Sequence, residues 1–161
     1  TPAAIFSLLL IATGAAKFVR PTDTARAMGQ MGLPFSLPAT YVLAVAEIVI
    51  GSLALATGAR PVLIAQAAIY AIFLAWVLVA LARDIPIASC GCLGRDDTPP
   101  YWGHVIVDSV AFVAASAAAI IGPIAVTEGS GLLTFWLVVL TGAALAWWVL
   151  GDGARVQGLV R

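Results

Sequence analysis

The only two cysteines of this 161-residue chain, Cys90 and Cys92, stand on either side of Gly91 in the segment Ala88-Ser89-Cys90-Gly91-Cys92-Leu93-Gly94-Arg95. A disulfide between thiols so close in sequence closes a small ring. Departure from relaxed disulfide geometry stores strain and makes the bond easier to reduce. Gly91 permits the unusual dihedrals of such a ring, and Arg95, with His104 further on, favours thiolate. These residues describe an exchange site rather than a structural staple. Two other readings stay open at this level. The pair could be two unlinked buried thiols, or two thiolates joining His104 around a soft ion such as Cu(I) or zinc. Three ligands without characteristic spacing do not assign a metal, and none is assigned.

The elements that must position these thiols are membrane spans. Of the residues, 62% are hydrophobic and 10% charged, against about 45–50% and about 25% in soluble domains. Formal net charge is zero, which leaves no basis for nucleic-acid binding or a polybasic lipid-binding tail. Five apolar runs have the length of a spanning helix: Pro2–Phe18, Thr40–Thr57, Pro61–Leu81, Val105–Val126 and Gly131–Leu150. The runs lack period-2 alternation, and an open sheet edge cannot be satisfied in lipid. The expected fold class is therefore all-α, a polytopic helical bundle, with residues 1–161 forming one integral membrane domain. The sequence opens at Thr1 directly in an apolar run, and this run carries no basic region or cleavage site of the signal-peptide type.

Two connections are tight, Thr57-Gly58-Ala59-Arg60-Pro61 and Thr127-Glu128-Gly129-Ser130. Glycine ends one helix and proline opens the next in the first of them. The other two are long. Val19–Ala39 carries an expected interfacial helix, Thr24–Met31, capped by Thr22 or Thr24. Arg83–His104 carries the cysteines, with Pro86, Pro99 and Pro100 disfavouring a helical loop. Because consecutive spans alternate, both long connections fall on one side of the membrane. Trp136, Trp147 and Trp148, with Tyr101 and Trp102, fit interfacial anchoring.

Ionisable residues within spans are expensive and call for partners. Lys17 ends the first span, Glu47 lies roughly 10 Å along the second at 1.5 Å per residue, and Asp108 opens the fourth. All three are counted from the side that carries Cys90, Cys92 and His104. They are expected to form a Lys17–Glu47 ion pair and a polar pocket or proton path beside the thiols.

Residues 83–94, RDIPIASCGCLG, followed by a tryptophan and a new apolar helix, resemble the Cys-Gly-Cys-Phe-Gly loop of MauE-type membrane proteins. Residues 13–17, TGAAK, then Gly32-Leu33-Pro34, then Ala46-Glu47 with Gly51, resemble the related DoxX family. Together these features cover about residues 10–125, leaving the fifth span generic. The resemblance implies a four-helix DoxX-like core in the bacterial inner membrane, to which the apolar run Gly131–Leu150 is expected to add a fifth, C-terminal span. It implies redox-associated work: exchange with a thioredoxin-like partner that matures a disulfide-rich periplasmic dehydrogenase subunit, or thiosulfate or quinone oxidoreduction, with a quinone as candidate cofactor. Leu93 stands where the family commonly has phenylalanine, and Val107-Asp108 where it often has Arg-Asn.

Three functions fit these residues. The first is a thiol–disulfide oxidoreductase with Cys90 and Cys92 as reacting groups and Gly91, Arg95, His104, Asp108, Lys17 and Glu47 in support. The second is a non-catalytic subunit stabilising a larger membrane complex, and the third is soft-metal binding or transport. No nucleophile–base–orienter set for hydrolysis appears. Lysine and arginine set orientation. Lys17, Arg20, Arg26, Arg83, Arg95, Arg155 and Arg161 lie on the long-loop side and Arg60 alone on the other, placing the cysteines and the C-terminus in the cytoplasm. A membrane-impermeant thiol reagent is expected to spare Cys90 and Cys92 in intact cells and to label them in inverted vesicles. Labelling of intact cells reverses the orientation.

Overall fold

The computed structural model describes residues 2–83 and 100–122, together with 136, 137, 139–142 and 144. Among the described residues the chain is helical and contains no strand. The helices are α1 (Pro2–Val19), α2 (Pro21–Gln30), α3 (Ser36–Thr57), α4 (Arg60–Ala82) and α5 (Trp102–Ile121). All but α2 are long and apolar enough to cross a membrane. Residues 136, 137, 139–142 and 144 are also helical. They belong to the fifth run, and Gly142 sits against the Ile5 side chain of α1.

The four long helices close a ring in the order α3, α1, α5, α4, with α3 and α4 also touching. Polarity is arranged inside out relative to a soluble bundle. Val42, Ile64, Ile72, Val113 and Ile120 are exposed, whereas Lys17, Glu47, Gln66, His104 and Asp108 are buried. Lipid rewards an apolar exterior, and polar groups can find partners only within the ring.

Small residues set the α1–α3 spacing. A Cβ added at Gly14 would lie 2.8 Å from the Ala44 carbonyl oxygen, and one added at Gly51 would lie 2.8 Å from that of Ser7. Hydrophobic collapse does not hold helices together in lipid, so such backbone approach is a principal source of association. Across the ring, α1 and α4 are joined by longer side chains. Gln66 Nε2 donates to the Ala3 carbonyl at 3.2 Å, and the Tyr70 hydroxyl donates to the Phe6 carbonyl at 2.7 Å. Phe6, Leu9 and Leu10 pack with Ile69, Tyr70, Val107 and Ala111 between these contacts.

Helix bounds differ from the sequence expectation where proline was taken as a stop. The interfacial helix α2 begins at Pro21 rather than Thr24, and no side chain caps it. Pro21 serves as a first-turn residue, where its missing N–H costs nothing, so Thr22 and Thr24 lie inside the helix. Its C-terminus is closed by a Schellman motif. Leu33 N–H donates to the Met28 carbonyl and Gly32 N–H to that of Gly29, with Gly32 at φ 83°. That motif is the physical content of Gly32-Leu33-Pro34. Pro38 likewise falls in the first turn of α3, which starts at Ser36 rather than Thr40. Helix α5 starts at Trp102 rather than Val105 and stops at Gly122, whose φ is 93°.

Replacing Gly51 or Gly14 by valine drives a side chain into a backbone carbonyl that cannot yield. Each variant is expected to lose about 1–3 kcal/mol of stability, measured as a lower midpoint of thermal unfolding in detergent. Unchanged midpoints contradict the close α1–α3 crossing.

Candidate functional site

Helix α1 carries Thr13 and Lys17 four residues apart on one face, and both reach Glu47 on α3. Lys17 Nζ lies 2.8 Å from Glu47 Oε1 and 2.9 Å from Oε2, with its hydrogen bond directed at Oε2. The Thr13 hydroxyl lies 3.1 Å from the same Oε2. It has the Leu10 carbonyl, also at 3.1 Å, as its other acceptor. Both charged residues are sealed, Lys17 at 2% and Glu47 at 0% exposure. The expected ion pair is therefore present, and it lies deeper than the sequence reading put it. Counted from Ser36, Glu47 is about 16 Å along α3 at 1.5 Å per residue, near the middle of a 22-residue helix.

Lys17 also stacks its ammonium over the Phe73 ring of α4, 5.4 Å from the centroid. This cation–π contact uses a face of the ammonium that Glu47 does not occupy. Opposite, α5 presents His104 and Asp108, four residues apart, at 1% and 6% exposure. His104 is roofed by Tyr101, whose ring meets it edge-on at 4.7 Å. Gly103 makes that roof possible, since a Cβ there would lie 2.4–2.8 Å from three atoms of the Tyr101 ring. Partial burial raises the Tyr101 phenol above its ordinary value, so it covers His104 as a neutral ring.

These groups surround a cavity of about 20 Å³ lined by Leu9, Thr13, Lys17, Tyr70, Phe73, His104 and Asp108. Four of the expected supporting residues, Lys17, Glu47, His104 and Asp108, are thus brought to one buried locus by α1, α3 and α5. Cys90, Gly91, Cys92 and Arg95 lie outside the described residues. The segment that carries them joins Arg83, at the end of α4, to Pro100, just before α5.

Thr13, Tyr70, Phe73 and Tyr101 were not singled out as site residues from sequence. Thr13 was legible as the residue four before Lys17, and Gln66-Tyr70-Phe73 as a stripe on one face of α4. Among the described residues no cluster of three or more His, Cys, Asp or Glu could hold a metal ion. A quinone ring does not fit the 20 Å³ cavity. The larger groove of about 440 Å³ between the start of α1 and α5 is apolar and small-residue lined, with Ser109 its only hydroxyl.

The family profile described as Methylamine utilisation protein MauE matches residues 1–123. No curated protein and no solved structure matches the chain.

Leaving one charge of the Lys17–Glu47 pair buried alone is the costly change. Lys17→Met and Glu47→Gln are each expected to destabilise the protein by about 3–5 kcal/mol, and the double variant by less than the sum. Thermal or denaturant unfolding in detergent measures this cycle. Additive losses, or none, mean that the pair does not act as a unit.

Proposed function

The chain belongs to the MauE family, and we propose that it works as a membrane thiol–disulfide redox protein through Cys90 and Cys92. One observation carries this reading. A multi-pass membrane chain places its only two thiols one residue apart, in the connection between α4 and α5. That connection is anchored at the end of the bundle where α1 ends and α3 and α5 begin, the end nearer to Lys17, His104 and Asp108.

The partner is a protein of thioredoxin-like chemistry, with a cysteine pair of its own. A thiolate at Cys90 or Cys92 attacks the partner's disulfide, breaking that S–S bond and forming a mixed disulfide. The second thiol of this chain, as thiolate, then attacks the mixed bond. The result is a Cys90–Cys92 disulfide and a reduced partner dithiol that carries the two protons lost here. The reverse exchange uses the same bonds, and the two potentials set its direction. The excess of Lys and Arg on the long-loop side supports a cytoplasmic loop. The family resemblance supports the bacterial inner membrane.

The Cys90–Cys92 couple is expected to be more oxidising than structural disulfides, which typically lie below about −300 mV. Cys90→Ser or Cys92→Ser should trap a mixed disulfide with the partner on the remaining thiol. A redox titration in which the pair never forms a disulfide, even under strong oxidant, overturns the exchange reaction. Full function in both single variants favours a non-catalytic subunit of a larger complex.

A further inference from the structure

Between the first half of α4 and the second half of α5 the outer surface of the bundle is hollowed into a groove of about 340 Å³. That volume lies within the roughly 300–1,000 Å³ of small-ligand clefts. Ala67 and Ala119, both buried, line it with the half-buried Ser116, and the exposed Ile64, Phe112 and Ile120 form its rim. Arg60, the first residue of α4, stands at one end.

The length of the groove bears on what fills it. Its lining runs from Arg60 to Ala68 on α4 and from Ile120 back to Phe112 on α5. Eight residues on either helix correspond to about 12 Å at 1.5 Å per residue. The hydrocarbon core of a bilayer is about 30 Å thick, so the groove takes up most of one leaflet and then stops. A partner helix needs a surface that continues through both leaflets. An acyl chain needs only one.

The charge at the mouth bears on the head group. Arg60 is exposed, and among the described residues it meets no carboxylate. It is the only lysine or arginine on the side of the short connections. A guanidinium is weakly hydrated and matches a phosphate with two parallel hydrogen bonds. Its charge also draws anionic lipids in preference to neutral ones. Ser116 lies one turn inward from Ile120, about 6 Å deeper, where the ester carbonyls of a phospholipid follow its phosphate. Its hydroxyl is of the type that donates to such carbonyls. The larger groove between α1 and α5 has no basic residue in its described lining, so nothing there selects a head group.

We propose that the α4–α5 groove is a phospholipid site, with one acyl chain in the groove and the phosphodiester on Arg60. The site favours lipids of net negative charge. It lies at the opposite end of the bundle from the connection that carries Cys90 and Cys92, and shares no residue with the thiol chemistry.

The full chain in nanodiscs of equal parts phosphatidylcholine and phosphatidylglycerol, released into native mass spectrometry, tests this. Wild-type protein is expected to retain one phosphatidylglycerol in preference to phosphatidylcholine. Arg60→Gln should reduce that preference about fivefold, and Arg60→Lys should keep most of it. Ala68→Phe fills the groove from an exposed position and leaves Arg60 intact, so it should lower retention of either lipid. Thermal unfolding in detergent gives an independent readout. Added phosphatidylglycerol should raise the wild-type midpoint by more than that of Arg60→Gln. Wild-type protein without the preference overturns the proposal with no variant needed, and so does Arg60→Gln protein that keeps it. Dissociation of a wild-type dimer by Ala68→Phe identifies a second copy as the occupant. Retention that rises in Glu128→Gln identifies a carboxylate of this chain as the partner of Arg60. Either result also overturns the lipid assignment.

Discussion

The ion pair between Lys17 and Glu47 governs how the rest of this bundle is built. A carboxylate near the middle of a membrane helix cannot be hydrated, and its desolvation is offset only by a partner at contact distance with its other lone pairs engaged. Contact at 2.8 Å requires α1 and α3 to approach closely, and close approach requires the absence of side chains at Gly14 and Gly51. The pair also fixes the axial register of α1. Side chains on a helix lean toward its N-terminus, so a lysine in the last turn of α1 reaches inward toward Glu47 rather than outward to water. Thr13, one turn earlier, then falls beside the same carboxylate.

The polar interior extends from this pair to the other half of the ring. Phe73 and Tyr70 of α4 and His104 and Asp108 of α5 face Lys17 across a small cavity. Toward the start of α1, Gln66 of α4 bonds the Ser7 hydroxyl and the Ala3 carbonyl, and Tyr70 bonds the Phe6 carbonyl. Toward the long connections the α1–α4 contact opens into the cavity and ends under the Tyr101 roof, where Gly103 supplies the room. One end of the bundle thus gathers the buried ionisable groups and the other the α1–α4 hydrogen bonds. Both long connections belong to the former.

This asymmetry bears on the thiol–disulfide exchange proposed for this member of the MauE family. Thiol–disulfide exchange moves protons with electrons, because the thiolate is the attacking form and a thiol must lose its proton before it reacts. Lys17, His104 and Asp108 lie toward the end of the bundle from which the connection carrying Cys90 and Cys92 departs.

Much of this was legible in the residues. The apolar runs marked the four long helices, because bilayer thickness fixes a length that composition reveals. Lys17, Glu47 and Asp108 stood out because charge within a span demands a reason, His104 because it follows the thiols in the long connection, and the pairing of Lys17 with Glu47 followed from their shared end of the membrane. Depth and extent were not legible. Pro21 and Pro38 read as boundaries, yet both fit first turns, which lengthened α2 and α3 and moved Glu47 to the middle of α3. Thr13 shares a helix face with Lys17, and Tyr70 and Phe73 a face of α4, but that spacing alone does not say what they, or Tyr101, meet across the ring. Their roles exist only because α1, α4 and α5 bring them within a few ångströms of one another. Sequence by itself determined which groups could not be left alone in lipid. Tertiary structure decided which groups they meet, because side-chain partners across a helix ring are set by crossing geometry and register, and neither is encoded in the period of a single helix.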